Sequence, residues 1–305
     1  WQVGEKDATD DRLGRLSEVL GQNDEDISEC QLQMGKGIIS AYQLPTEIGR
    51  YDTTSFNVHH HPEKGKNGIL EFGHSKNYRP DLLQFKQGLA TLDPAGVPIL
   101  SETLPGNRAD DPCYLPAWRR MVDTIGNPDF LFIADCKAAS CETRAVIDHG
   151  KGCYLFPLPM TGETPRHIKE LVLNPEQELQ EIVLAPKQDQ DDDENRVVGK
   201  GFVVDKKIET RLEDGTNHQW NERWMVSRSD AHAQRQQKSF QNRLEKAEGK
   251  LSKMKAKSTD TADSFRMKAE KVLKAYNVDA FLRLEINEAI KTKKKYIGRG
   301  RPGSK

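Results

Sequence analysis

The sequence predicts an α/β fold: a mixed sheet with flanking helices, interrupted by a β-rich and helical insertion. Three observations predict it. Two strand-like stretches each carry one carboxylate: Ile48–Phe56 reads IGRYDTTSF around Asp52, and Asp129–Asp135 reads DFLFIAD and ends on Asp135. Around them, strand and helix patterns alternate as they do in a sheet with crossover helices. Beyond residue 171 the pattern turns to strands and then to helices rich in Lys and Arg.

Residues 8–43 read as helices. In ATDDRLGRLSEVLG, Leu13, Leu16, Val19 and Leu20 recur at helical spacing, Thr9 or Asp10 can cap, and Gly21 can end the helix. A weaker helix around Glu29–Tyr42 runs up to Leu44-Pro45, where helices stop. From Ile48 the reading changes to strands, because Ile, Thr, Tyr and Phe fit a pleated, half-buried surface. After Asp52 come a polar turn, NVHHHPEKGKNG, and a strand, ILEFGHS. NYRPDLLQFKQGLATLD fits the start of a helix or another strand, and GVPILSETLPGN a strand with a loop. Then follow a short helix at Trp118–Ile125, the Asp135 strand, a helix over Ala138–Asp148 and a buried strand, GCYLFPLP.

The segments LVLNPEQELQEIVL, VVGKGFVVDKKIETR and HQWNERWMVS read as further strands, with the acidic run Asp189–Glu194 as a solvated loop between two of them. Phe240, Leu244, Ala247, Leu251 and Met254 step by 4, 3, 4 and 3, a heptad seam short enough for an intramolecular hairpin. Helices from about Asp263 to Tyr276 and from about Asp279 to Lys293 follow, then a basic Gly-rich tail. The expected organisation is therefore a helical segment over 1–44, a sheet core over 45–170, a β-rich insertion over 171–229 and a basic helical segment with its tail over 230–305.

With 35% hydrophobic and 30% charged residues, and no apolar stretch near 18 residues long, no membrane span is expected. The N-terminus, WQVGEKDATDD, lacks the basic and apolar regions of a signal peptide, and its missing Met suggests a chain that starts mid-protein. Five cysteines without a CxxC pair argue for reduced thiols and a cytoplasmic setting. The net charge of −1 conceals an asymmetry: residues 235–305 hold 20 Lys and Arg against 8 Asp and Glu, and the rest 26 against 39. An acidic body with a basic tail points to a polyanionic partner.

A charge held mid-strand needs a partner or a task, since burying an unpartnered carboxylate costs several kcal/mol. An Asp at the carboxyl end of a core strand stands where α/β sheets place their chemistry. Asp52 and Asp135 together suggest a divalent-metal site, although an Asp at a strand end also caps turns. Asp110 and Asp111 fit a second layer around it or a helix cap before Trp118. His59, His60 and His61, with His74, raise a zinc hydrolase as a competing reading. Neighbours on a strand point to opposite faces, so three adjacent histidines cannot all meet one ion. No GxGxxG, P-loop or nucleophile-elbow pattern is present.

Four blocks in order, YDTTSF, GHSKNYRPDLLQFKQGLA, GVPILSETLPGNRADD and FIADCKAAS, resemble bacterial insertion-sequence transposases of the DDE type. The resemblance is to the IS-four superfamily and its IS-sixteen-thirty-four-like group. KDATDDRLGRLSEVLG and YQLPTEIGRYDTT are similar to that group's region before the core. The resemblance covers residues 6–160 and is looser beyond 171. It implies an RNase H-like core and cutting and joining of DNA strands at insertion-sequence ends, with Asp52 and Asp135 as the first two catalytic, metal-holding carboxylates. It further implies Mg²⁺ or Mn²⁺, transposon terminal repeats and target DNA as partners, a homodimer in the synaptic complex, and a bacterial, nucleoid-associated cytoplasmic location.

The family's third carboxylate lies in a Y-x2-R-x3-E-x6-K pattern, which this chain departs from. Tyr296 and Arg299 supply its first members, but Gly303 stands at the Glu position; near Arg243, Ala247 stands there. The expectation is a core that is incomplete at Lys305, inactive alone, and bare on one sheet face near Asp52. The alternative is a catalytically inactive transposase remnant that binds DNA or the full-length enzyme. Should the 305 residues be active alone, Glu142 or Glu222 would be the completing carboxylate. Relatives use an aromatic of the insertion to hold a flipped base, a role that Trp220 or Trp224 could take beside plain packing.

Overall fold

Alternation along β1 (Ile48–Val58) turns Gly49, Tyr51 and Thr53 inward and Arg50, Asp52 and Thr54 to solvent. The structure is a computed structural model that describes residues 4, 9–59, 68–75, 77–174, 177–184, 196–257 and 260–286. β1 is the middle strand of a five-stranded mixed sheet with β2 (Leu83–Leu92), β3 (Val97–Pro105), β4 (Leu131–Ile133) and β5 (Cys153–Leu155). The order is β3-β2-β1-β4-β5; the first three are antiparallel, and β4 and β5 run parallel to β1. This is the RNase H-like arrangement.

Two helices precede the sheet, α1 (Asp10–Leu20) and α2 (Asp24–Tyr42), the second capped by the Asn23 side chain on the Glu25 amide. α3 (Tyr114–Ile125) joins β3 to β4, and α4 (Cys141–His149) joins β4 to β5. Tyr114, Ala117, Trp118 and Met121 form the buried stripe of α3 at helical spacing, and Gly126 at φ 91° ends the helix. α2 packs on β3 and α3, and α3 on β1, β3 and α4, so the helices share one sheet face. Phe132 at 0% exposure and Tyr51 at 1% lie in that core. Burying the Phe132 side chain is worth about 1.5–3 kcal/mol. Gly49 leaves room for the end of the Met121 side chain of α3, which a Cβ there would meet. The opposite face carries Arg50, Asp52, Phe56 and Leu89, all exposed, with Phe56 stacked on Phe85 at 5.2 Å between centroids.

The chain divides into two compact units, Trp1–Glu176 with Val204–Trp224, and Gln177–Val203 with Met225–Lys305. The first also contains α5 (Thr164–Leu173) and the inner parts of two long strands, β7 (Arg196–Arg211) and β8 (Asn217–Ser229). The second contains β6 (Gln180–Leu184), the remainder of β7 and β8, α6 (Asp230–Leu251) and α7 (Ala262–Ala275). β6, β7 and β8 form a separate three-stranded sheet. In the second unit the expected seam closes an intramolecular hairpin. Ala247, Leu273 and Val278 are its buried centre, and Phe240, Leu244 and Leu251 pack around them.

Four expectations are corrected. ILEFGHS is no strand: among its described residues, Glu71 pairs with Gln84 in one isolated bridge, one step past the end of β3 opposite Phe85. GCYLFPLP is not buried. Only Cys153–Leu155 pair, on the sheet edge with both end residues exposed, and Pro157 and Pro159 cannot donate to a ladder. Leu171–Leu173 end a helix rather than begin a strand, because Pro165 starts α5 and its apolar residues step at helical spacing. Asp279–Ile286 form no helix: the chain turns at Asn277 (φ 52°) to bury Val278 and set Phe281 against Phe240 at 4.9 Å. The acidic run Asp189–Glu194 and the basic tail from 291 lie outside the described residues.

Candidate metal centre

Parallel pairing of β1 with β4 sets Arg50 opposite Ile133. Asp52, inside β1, and Asp135, two residues past the end of β4, each follow two residues later, so the two aspartates stand at matching levels of adjacent parallel strands. Both residues are exposed. Asp52 Oδ1 accepts from the Thr53 amide at 2.7 Å. Asp135 caps the short turn Cys136–Ala138, and its Oδ1 accepts twice, from the Lys137 amide at 2.9 Å and the Tyr114 hydroxyl at 2.6 Å. Among the described residues, neither Oδ2 has a hydrogen bond. The capping role weighed from the sequence is therefore present in Asp135, but it occupies one oxygen only.

Beneath this pair lies a layer of partly buried polar groups. Asp110 accepts from Lys86 Nζ at 2.5 Å and from Thr53 Oγ1 at 3.1 Å. The Lys86 side chain is 10% exposed and that of Asp110 20%, so this ion pair is shielded from water. Tyr114 stands among the three aspartates. Burial first, then its bond to Asp135, then the charges of Asp135, Asp52 and Asp110 push its hydroxyl well above the usual phenol range. Asp111, by contrast, faces outward and meets Lys137 at 3.5 Å.

Sequence reasoning missed Lys86 and Tyr114. The signal for Lys86 is period two: Gln84, Lys86, Gly88, Ala90 and Leu92 all turn inward, which places a cation in an otherwise closed row. Tyr114 is legible only as the first residue of the α3 stripe.

Glu222, named from the sequence as a candidate carboxylate, belongs elsewhere. It is 8% exposed, pairs with Arg144, and accepts from Tyr154 at 2.7 Å, Trp220 at 3.1 Å and Trp224 at 2.8 Å. With four donors it is a structural anchor of the β7–β8 hairpin. Glu142 is exposed in the first turn of α4. Trp220 is buried and Trp224 only half-buried, so the two indoles, which share a face through Glu222, differ in access. His59 and His74 are exposed, while His60 and His61 lie outside the described residues. Among the described residues, no three His, Cys, Asp or Glu side chains converge to hold an ion.

In the second unit the surface is basic. Lys246, Lys250, Lys253, Lys255, Lys257, Lys271 and Lys274 are exposed on and between α6 and α7. Lys268 is held by Asp260 at 2.5 Å, and Lys250 lies over the Tyr276 ring. All five cysteines are free thiols, and no helix of the described residues is long and apolar enough to cross a membrane.

No family model matches this chain, and no curated protein matches it. Among solved structures it is similar to the crystal structure of a pre-cleavage Mos1 transpososome, at 11% sequence identity and a TM-score of 0.26. The match spans 47% of this chain and 46% of that one, so about half the length of each is compared. A likeness of that extent carries no argument about activity; the fold stands on strand order and register.

Proposed function

We propose that this protein is a DDE-type transposase that cuts and joins DNA strands at insertion-sequence ends by metal-assisted phosphoryl transfer. The supporting observation is that Asp52 and Asp135 are exposed at matching levels of adjacent parallel strands, each with a carboxylate oxygen that no described residue binds. The donor set fits Mg²⁺ or Mn²⁺, hard cations that use one or two carboxylates and keep positions for water and phosphate. Asp52 and Asp135 would hold the ions, which, when bound, activate the attacking oxygen and stabilise the leaving one. The Lys-rich surface of the second unit would neutralise DNA phosphates without reading sequence. Trp224, half-exposed, is the better placed of the two indoles to stack on an unpaired base. The terminal repeats, the target and a synaptic homodimer belong to the same proposal.

A second reading is a remnant that binds DNA without cutting it, and the specific observation in its favour is that, among the described residues, no three Asp, Glu, His or Cys side chains gather to hold an ion. Nicking of a supercoiled plasmid carrying the element's ends, in Mg²⁺ and in EDTA, separates the two. Metal-dependent nicking that Asp52→Ala and Asp135→Ala abolish while DNA binding persists supports the enzyme. Binding that falls steeply with salt, without nicking, supports the remnant.

A further inference from the structure

Tyr114 is 1% exposed, and its ring meets Tyr51 edge-on at 5.6 Å between centroids. It opens the buried stripe of α3, so the ring cannot swing away without opening the core. Its hydroxyl is the one polar group it carries, and that group ends 2.6 Å from Asp135 Oδ1. The Lys137 amide reaches the same oxygen at 2.9 Å from the opposite direction along the chain. Two donors on one oxygen fix the rotation of a carboxylate that would otherwise turn freely in solvent. Asp52 has no such clamp: its one hydrogen bond comes from the amide of its own neighbour, Thr53.

We infer that Tyr114 is a positioning residue for Asp135, whose Oδ2 is thereby the oxygen presented to a divalent cation. The inference rests on the reading of Asp52 and Asp135 as the pair that holds the ion. Partners that orient a metal ligand are worth roughly 10–100-fold in metal affinity. Tyr114 acts at a distance from the ion, through a rigid element of the core, and makes one carboxylate of the pair a fixed ligand while the other adapts.

Mn²⁺ binding to the full chain, followed by the electron paramagnetic resonance signal of the free ion, tests this. Tyr114→Phe keeps the ring and removes the hydroxyl, and should weaken Mn²⁺ binding about 10-fold or more. Tyr51→Phe, which loses a hydroxyl that donates to Glu102 at 3.4 Å, is the control and should bind as the unaltered protein does. Should Tyr114→Phe disturb the core, Lys137→Pro removes the other donor from an exposed turn and should also weaken binding, whereas Lys137→Ala, which keeps the amide, should not. Asp135→Asn should lose the site. If Asp135→Asn loses binding while Tyr114→Phe and Lys137→Pro keep the unaltered affinity, the positioning role is overturned and the metal pair stands. If Asp135→Asn binds Mn²⁺ unchanged, the metal pair falls and the positioning role falls with it.

Discussion

Two acidic centres in the same unit are built on opposite plans. Glu222 is a carboxylate 8% exposed whose oxygens face Arg144, Tyr154, Trp220 and Trp224. Asp52 and Asp135 are exposed, and each keeps an oxygen that no described residue binds. A buried charge with both oxygens engaged ties elements together: here the β7–β8 hairpin to α4 and β5. An exposed charge with spare lone pairs stabilises little and stays available to a ligand. The difference teaches that the count of unmet acceptors, more than acidity or burial, separates a structural carboxylate from a candidate ligand.

The largest expected effect on stability tests the buried half of this contrast. Glu222→Ala strands the Arg144 guanidinium, 12% exposed, in the interior. Leaving one partner of a buried pair behind costs about 3–5 kcal/mol. Urea unfolding should show it, and a loss under about 1 kcal/mol would place Glu222 among ordinary surface acids. Tyr154→Phe is the smaller companion. It removes one donor to the carboxylate and one acceptor for the Trp220 indole, with an expected loss of about 1.5–3 kcal/mol.

Alkaline titration sharpens the comparison from the side of the phenols. Burial, followed by Glu102, Asp135 and Glu222 respectively, raises Tyr51, Tyr114 and Tyr154 above the ordinary value. A raised folded value means that the native state holds its protons longer than the unfolded chain. The stabilisation is therefore full below the unfolded phenol value, about pH 10, and is lost as pH rises beyond it. Ultraviolet titration should show three of the seven tyrosines ionising only with unfolding. All seven ionising together at about pH 10 in folded protein would contradict the closed environment of these hydroxyls.

The smallest effect belongs to the exposed pair. Asp52→Asn should change stability by no more than about 0.5 kcal/mol, as substitutions at exposed positions do, and Asp135→Asn, which keeps an oxygen for Tyr114 and Lys137 but loses the charge, by no more than about 1.5 kcal/mol. A markedly larger loss would make these residues structural and erase the contrast with Glu222.

How much of this was legible in the sequence follows from the range of the interactions. The strand that carries Asp52, the strand that leads to Asp135, the helix seam of α6 and the order of elements around the sheet are local patterns, and they could be read. GCYLFPLP misled because apolar content does not distinguish an edge from a centre. ILEFGHS misled because pairing depends on where β3 stops. The Glu222 network joins residues 66–78 positions apart, and the bond from Tyr114 to Asp135 spans 21. No window of sequence contains both ends of such contacts, so the candidates could be named but not sorted.

The central claim is that Asp52 and Asp135 are the carboxylates that hold divalent ions for strand cleavage. Plasmid nicking by Asp52→Cys and Asp135→Cys tests it most directly, because a thiolate is a poor ligand for Mg²⁺ and a better one for softer ions. The account predicts that both variants fail in Mg²⁺ and regain nicking in Mn²⁺ or Cd²⁺, while Glu222→Gln, compared per folded molecule, needs no change of metal. Nicking by either cysteine variant in Mg²⁺ at the rate of the unaltered protein would contradict it.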